Sequence, residues 1–176
     1  MKIITNSILV VCLTVSSVSL EAEVAEAVVR KMDGYAEYSE PGSTEFQPLQ
    51  VSKKIKVGST IKTSEKSEVV LRVVPGAAMK IAENTTVTLD AMAFEKNGEN
   101  ISSRTANINL SEGTVSALLD KSDPKGTDFK IKTPQGSAAA RGTFYGVSVK
   151  DGQSYVRVEE GSVGIVEDKK DEKAKE

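Results

Sequence analysis

Thr143-Phe144-Tyr145-Gly146-Val147-Ser148-Val149-Lys150-Asp151-Gly152-Gln153-Ser154-Tyr155-Val156-Arg157-Val158 is the stretch that decides the fold class. Residues alternate in character from Thr143 to Val149 and again from Tyr155 to Val158. In the second run Val156 and Val158 share one face while Tyr155 and Arg157 share the other, as the two-residue period of a strand requires. Between the runs stands Asp151-Gly152, a pair suited to the positive φ angles of a tight hairpin turn. The stretch therefore predicts a β-hairpin.

The same alternation recurs in Val69 to Val74, Thr86 to Leu89 and Phe129 to Thr133. Turn residues separate these runs at intervals of about 7 to 12 residues, the rhythm of an all-β chain. Pro41-Gly42 and Pro75-Gly76 mark turns, and Asp123-Pro124-Lys125-Gly126 marks a more open loop. Only Ser116 to Leu119 hints at helical spacing, and it is too short to count. Glu112-Gly113-Thr114-Val115 recurs as Glu160-Gly161-Ser162-Val163, with Val57-Gly58-Ser59-Thr60-Ile61 as a looser copy. Such self-similarity suits a solenoid-like fold or a flattened stack of short strands joined by Gly and Pro turns, each corner repeating one backbone geometry.

The ends of the chain read differently from its middle. Lys2 precedes an apolar stretch from Ile8 to Leu20, softened by Thr14, Ser16, Ser17 and Ser19. This is the layout of a secretory signal peptide helix, shorter than the roughly 20 apolar residues that span a bilayer. Cleavage after Ser19 or after Ala22 fits the pattern. Cys12, the one cysteine, would leave with that segment, so neither a disulfide framework nor a thiolate site is expected in what remains. Beyond Val166 the chain is almost wholly charged, a composition that cannot bury a core and predicts disorder. The expected organisation is a signal peptide over 1–22, one all-β domain over 23–166 and a charged tail over 167–176.

Composition limits function. With 176 residues there is room for one domain. Aromatic residues make up 5% with no Trp, so the core must be built from Val, Ile, Leu and Ala. The 23 Lys and Arg against 25 Asp and Glu give a formal net charge of −2, which argues against nucleic acid as a partner. The chain has no His, which removes the Ser-His-Asp triad, the usual zinc sites and the commonest general base. A Ser-Lys pair could be drawn from Ser64-Glu65-Lys66-Ser67 or Lys121-Ser122, but both lie in polar, turn-like stretches, whereas a catalytic lysine needs burial. Glu159 and Glu160 are adjacent on a strand and face opposite ways. Asp120, Asp123 and Asp128 gather oxygen ligands, yet Lys121 and Lys125 interleave and no EF-hand spacing is present. No catalytic residue, cofactor or metal is expected.

One resemblance sharpens this reading. Val57-Gly58-Ser59-Thr60-Ile61-Lys62-Thr63, Ser67 to Val73, Leu110 to Val115, Phe129 to Gly136, Ala140-Arg141-Gly142-Thr143-Phe144 and Val156 to Val163, in that order, resemble the FecR-like domain of bacterial envelope proteins. The resemblance implies a periplasmic or secreted all-β domain whose motif residues here are Thr133, Pro134, Gly136, Arg141, Gly142, Thr143 and Gly161. Arg141-Gly142-Thr143 is its most telling tripeptide, with Arg141 either a contact to an acidic partner or part of a sharp corner. The best-understood members regulate sigma factors through a cytoplasmic helical region and one membrane span. Only seven residues precede the apolar stretch here, so the sensing or scaffolding domain alone is expected. The partner implied is an envelope or extracellular protein, met at a long open edge or flat face, with no membrane span after signal cleavage. A carbohydrate or cell-wall module is the alternative, with Tyr35, Tyr38, Tyr145 and Tyr155 as its only aromatic platforms.

Overall fold

The computed structural model describes residues 22–98, 100–122 and 126–167. In chain order its strands are β1 (Ala22–Val24), β2 (Ala27–Asp33), β3 (Ala36–Ser39), β4 (Gln47–Pro48), β5 (Lys54–Ile55), β6 (Thr60–Thr63), β7 (Glu68–Val74), β8 (Ala77–Ile81), β9 (Thr86–Asn97), β10 (Asn100–Leu119), β11 (Thr127–Thr133), β12 (Gly136–Ala140), β13 (Phe144–Lys150), β14 (Gln153–Glu160) and β15 (Val163–Glu167). The all-β class expected from the alternation holds, with no helix among the described residues. The expected signal-peptide helix and most of the charged tail lie outside those residues.

The predicted hairpin joins β13 to β14. Asp151 and Gly152 both take positive φ, 51° and 71°, and Lys150 faces Gln153 across them. Pro75-Gly76 similarly turns β7 into β8. The segment Ser116–Leu119, with its hint of helical spacing, is strand within β10.

All 15 strands belong to one sheet that curls into a half-barrel, its two halves facing each other across the core. The first half runs β4-β3-β6-β9-β10-β11-β12-β15, with β1 extending the pairing along β9. The second runs β5-β2-β7-β8-β10-β13-β14. Strand β10 belongs to both. Its residues Asn100 to Glu112 pair with β9, whereas Gly113 to Leu119 lie between β8 and β13. The chain bends at Gly113, whose φ of 92° turns the strand without interrupting its pairing.

This arrangement corrects the expected solenoid-like or flattened stack of short strands. A solenoid needs parallel coils, but among the described strands only β10 and β11 pair in parallel, and β10 alone is 20 residues long. The repeated Gly motif is real as geometry. Gly58, Gly113 and Gly161 share φ values of 86°, 92° and 90°, so what repeats is a corner between the two halves of the sheet. A coil of chain does not recur.

Inward residues of both halves build the core, chiefly Val, Ile, Leu and Ala as composition demands. Two aromatics nevertheless stand among its largest fully buried side chains, Phe129 on β11 and Tyr145 on β13. The sheet ends in two unlike ways. On the N-terminal side the edges are β4 and β5, two residues each, with Pro48 in one and with Lys53 and Lys56 both paired to Glu40 nearby. Short, charged and proline-bearing edges resist further pairing. The C-terminal side ends in β14 and β15, eight and five residues long.

Candidate functional site

Three corners, at Gly161, Gly113 and Gly34, are each held by a hydroxyl. Thr143 Oγ1 donates to the Arg141 carbonyl at 2.9 Å, with the Ser162 carbonyl 3.2 Å from the same hydroxyl. A Cβ on Gly161 would lie 2.8 Å from Thr143 Oγ1, so no side chain fits there. Thr85 repeats the device. Its Oγ1 donates to the Glu83 carbonyl at 2.9 Å and accepts from the Thr114 N–H at 2.9 Å, while Gly113 packs against it. Ser67 donates to the Glu65 carbonyl at 3.1 Å and accepts from the Tyr35 N–H at 2.9 Å. In all three the residue before the hydroxyl has positive φ: Lys66 at 55°, Asn84 at 51° and Gly142 at 59°.

Arg141-Gly142-Thr143 is thus the third copy of a structural corner, and Gly161 belongs to it. The sequence marks Gly142 as a sharp corner whose turn the Thr143 hydroxyl can bond, as it does, but not the matching roles of Thr85 and Ser67; the shared signal is a Ser or Thr directly after a residue able to take positive φ. Ser64 to Ser67, considered as a Ser-Lys pair, is one of these corners, with Lys66 exposed.

Thr133, Pro134 and Gly136 form the turn between β11 and β12 at the opposite end of the same strands. Thr133 Oγ1 donates to the Gly136 carbonyl at 3.1 Å and lies 2.8 Å from Ser154 Oγ. Gln135 extends the link across to the second half of the sheet, its Nε2 bonding the Gly152 carbonyl and its Oε1 accepting from Ser154 Oγ. The seven motif residues therefore fall into two groups, a turn and a corner, at the two ends of β12–β15.

At the turn end, between β14 and β15, lies a groove of about 770 Å³. Ala138, Val147, Val156 and Ile165 give it an apolar lining, and Thr133, Gln135, Ser154 and Glu167 give it a polar end. Its lips are β14 and β15, each paired on one side only. Tyr155, Val158, Ile165 and Val166 on these strands are 55%, 43%, 61% and 64% exposed. Large apolar side chains on long unpaired edges are what soluble monomers avoid.

The pairing pattern fixes which main-chain groups the lips offer. A two-residue loop can be closed only by a pair that exchanges both main-chain bonds, so Lys150 with Gln153 and Thr133 with Gly136 are such pairs. Counting along each strand, the N–H and C=O of Ser154, Val156 and Val158 on β14, and of Val163, Ile165 and Glu167 on β15, point to the free edge. The side chains of the same six residues share a face with buried core residues, since they stand opposite Val149, Val147, Tyr145, Ala140, Ala138 and Gly136.

Tyr145 on β13 is buried with no hydrogen-bond partner for its hydroxyl among the described residues. Burial, with the charge of Asp128 adding to it, pushes its phenol well above the ordinary tyrosine range. Asp120, at the end of β10, is held below its ordinary value by the Ser122 N–H, with the Ser122 hydroxyl and Arg104 adding to the effect. Of the residues considered as a cation cluster, Asp123 lies outside the described residues. No group of three or more potential metal ligands occurs among those described. Of the four tyrosines, Tyr38 and Tyr145 are buried, which leaves Tyr35 in the β2–β3 corner and Tyr155 on β14 as separate exposed rings.

A model of the FecR protein family matches residues 59–164, more than half of the chain. The chain belongs to the FecR family. The match covers β6 to β14 and the first two residues of β15, and so includes every motif residue but stops short of Ile165, Val166 and Glu167 on the second lip of the groove. The FecR domain is a non-catalytic module associated with envelope signalling. No curated protein and no solved structure matches the chain. Among the described residues no helix is long and apolar enough to cross a membrane.

Proposed function

We propose that this FecR-family chain is a non-enzymatic, extracytoplasmic protein-binding module, exported by its N-terminal signal segment to the periplasm or beyond. A sensory or envelope-assembly role follows from that location. Its partner is another polypeptide of the envelope or the extracellular space, neither nucleic acid nor lipid. The reading rests on one observation above all: the N-terminal edges of the sheet are blunted, while β14 and β15 present unpaired main-chain groups beside exposed Tyr155, Val158, Ile165 and Val166. An extended segment that adds to such an edge gains main-chain hydrogen bonds along its length and places alternate side chains in the groove. The carbohydrate alternative loses support because two of its four aromatic platforms are buried.

The experiment is photo-crosslinking in cells, with a photoreactive residue at Tyr155 or Ile165 and, as a control, at Val51, an exposed apolar position on the N-terminal side. Discrete polypeptide adducts from Tyr155 and Ile165 but none from Val51 are expected. Equal labelling at all three positions would remove the case for this edge.

A further inference from the structure

We infer that the polypeptide seated on this edge is a second copy of the same chain, joined through a twofold axis at the Gly161 corner. The inference rests on the edge reading above and names its partner. The template lies within the molecule. Strands β12 and β13 form one ribbon bent at Arg141–Thr143, and β14 and β15 form the next, bent at Gly161-Ser162. They lie antiparallel, so that β12 pairs with β15 and β13 with β14, corner beside corner. Placing one more bent ribbon on the free side by the same rule sets its β15 against β14 and its β14 against β15. A second copy does this at both lips at once, which is the self-complementarity that a twofold interface demands.

The unpaired main-chain groups select the register. Only Ser154, Val156 and Val158 on one lip and Val163, Ile165 and Glu167 on the other point outward, so each of the first three must face one of the second three. Pairing Val158 with Val163, Val156 with Ile165 and Ser154 with Glu167 of the other copy uses all six. On the groove side this sets Val158 on Val163 and Val156 on Ile165, with Ser154 and Glu167 as the outermost pair. On the outer side Tyr155 falls opposite Val166. A shift of two residues one way puts Glu167 against Val156; the opposite shift leaves Glu167 unpaired and sets Tyr155 on Gly164. The chosen register thus gives apolar company to all four exposed apolar residues of the two strands, which an unrelated partner would have no reason to match. Glu160, nearest the axis, is already paired with Lys121.

Two measurements test this. Sedimentation equilibrium of the native protein is expected to give twice the chain mass. Ile165→Lys, which puts a charge on a mostly exposed edge residue, is expected to abolish the dimer while leaving the circular dichroism spectrum unchanged, and to make melting independent of protein concentration where that of the native dimer is not. The register is tested independently in a Cys12→Ser background, by mixing chains that carry Tyr155→Cys with chains that carry Val166→Cys under mild oxidation. These positions face each other as a closely spaced pair, so a disulfide dimer is expected in the mixture and not in either chain alone. A native protein that stays monomeric, or equal disulfide formation in each chain alone, overturns the proposal. If the monomer still yields an adduct with a different protein from Tyr155 or Ile165 in cells, the edge reading survives and only the second copy is rejected. If it yields none, both fall.

Discussion

Gly113 and Gly152 both take positive φ, yet their substitution should cost very different amounts. A Cβ at Gly113 would meet Thr85 Oγ1 at 2.2 Å and Thr85 Cα at 2.5 Å, and the second contact is backbone that cannot swing away. Gly113→Ala should therefore destabilise the fold by ~3 kcal/mol or more, a fall in melting temperature on the order of 10 °C. Nothing lies within 4 Å of a Cβ at Gly152, so Gly152→Ala should cost only the backbone term, about 1 kcal/mol. Thermal melts of the two variants check this. Tyr145 gives an opposite expectation. Its hydroxyl is buried without a partner among the described residues, so Tyr145→Phe should be neutral or stabilising by about 1 kcal/mol. The folded state holds the phenolic proton more tightly than the unfolded chain does. Stability is therefore retained below the ordinary tyrosine pKa of about 10 and lost as pH rises above it. Denaturant melts at pH 9 and pH 11 should show a loss that is smaller in Tyr145→Phe.

At the scale of elements, the alternation from Thr143 to Val158 gave the β13–β14 hairpin with its turn, because Asp151-Gly152 is a local signal and needs no partner elsewhere. The same reasoning missed that Leu110 to Val115 is one continuous bent strand, since whether a glycine ends a strand or bends it depends on what packs against it. At Gly113 that is Thr85, a residue 28 positions earlier in the chain. Of the candidate site, the motif residues were legible from local pattern, but the groove was not. It arises because the long-range pairing of β12 with β15 sets that strand beside the locally encoded β13–β14 hairpin. Strand β10 is paired along both of its flanks by β9, β11, β8 and β13. Its amides, from Ala106 to Leu110 and Val115 to Ala117, should be the slowest in the molecule to exchange, close to the global unfolding limit. Mass-spectrometric exchange of peptides from β10 and β15 would show this contrast.

For the molecule as a whole, a curled sheet with one blunted side and one open side has a direction in which it can grow. The same asymmetry bears on processing. Ala22 already pairs with Glu95 at the start of β1, so export with cleavage after Ser19 would keep that strand whole, and the mass of the mature chain should place its first residue at Leu20. The central claim is that β14 and β15 form an edge filled by a second chain. Residue-resolved amide exchange on native protein and on Ile165→Lys tests it most directly. In the variant, with the edge vacant, exchange should alternate: fast at Ser154, Val156, Val158 and Val163, slow at Tyr155, Arg157, Gly164 and Val166. In the native protein the fast set should become protected. The same alternating pattern in both proteins would mean that no chain occupies the edge, and would contradict the account.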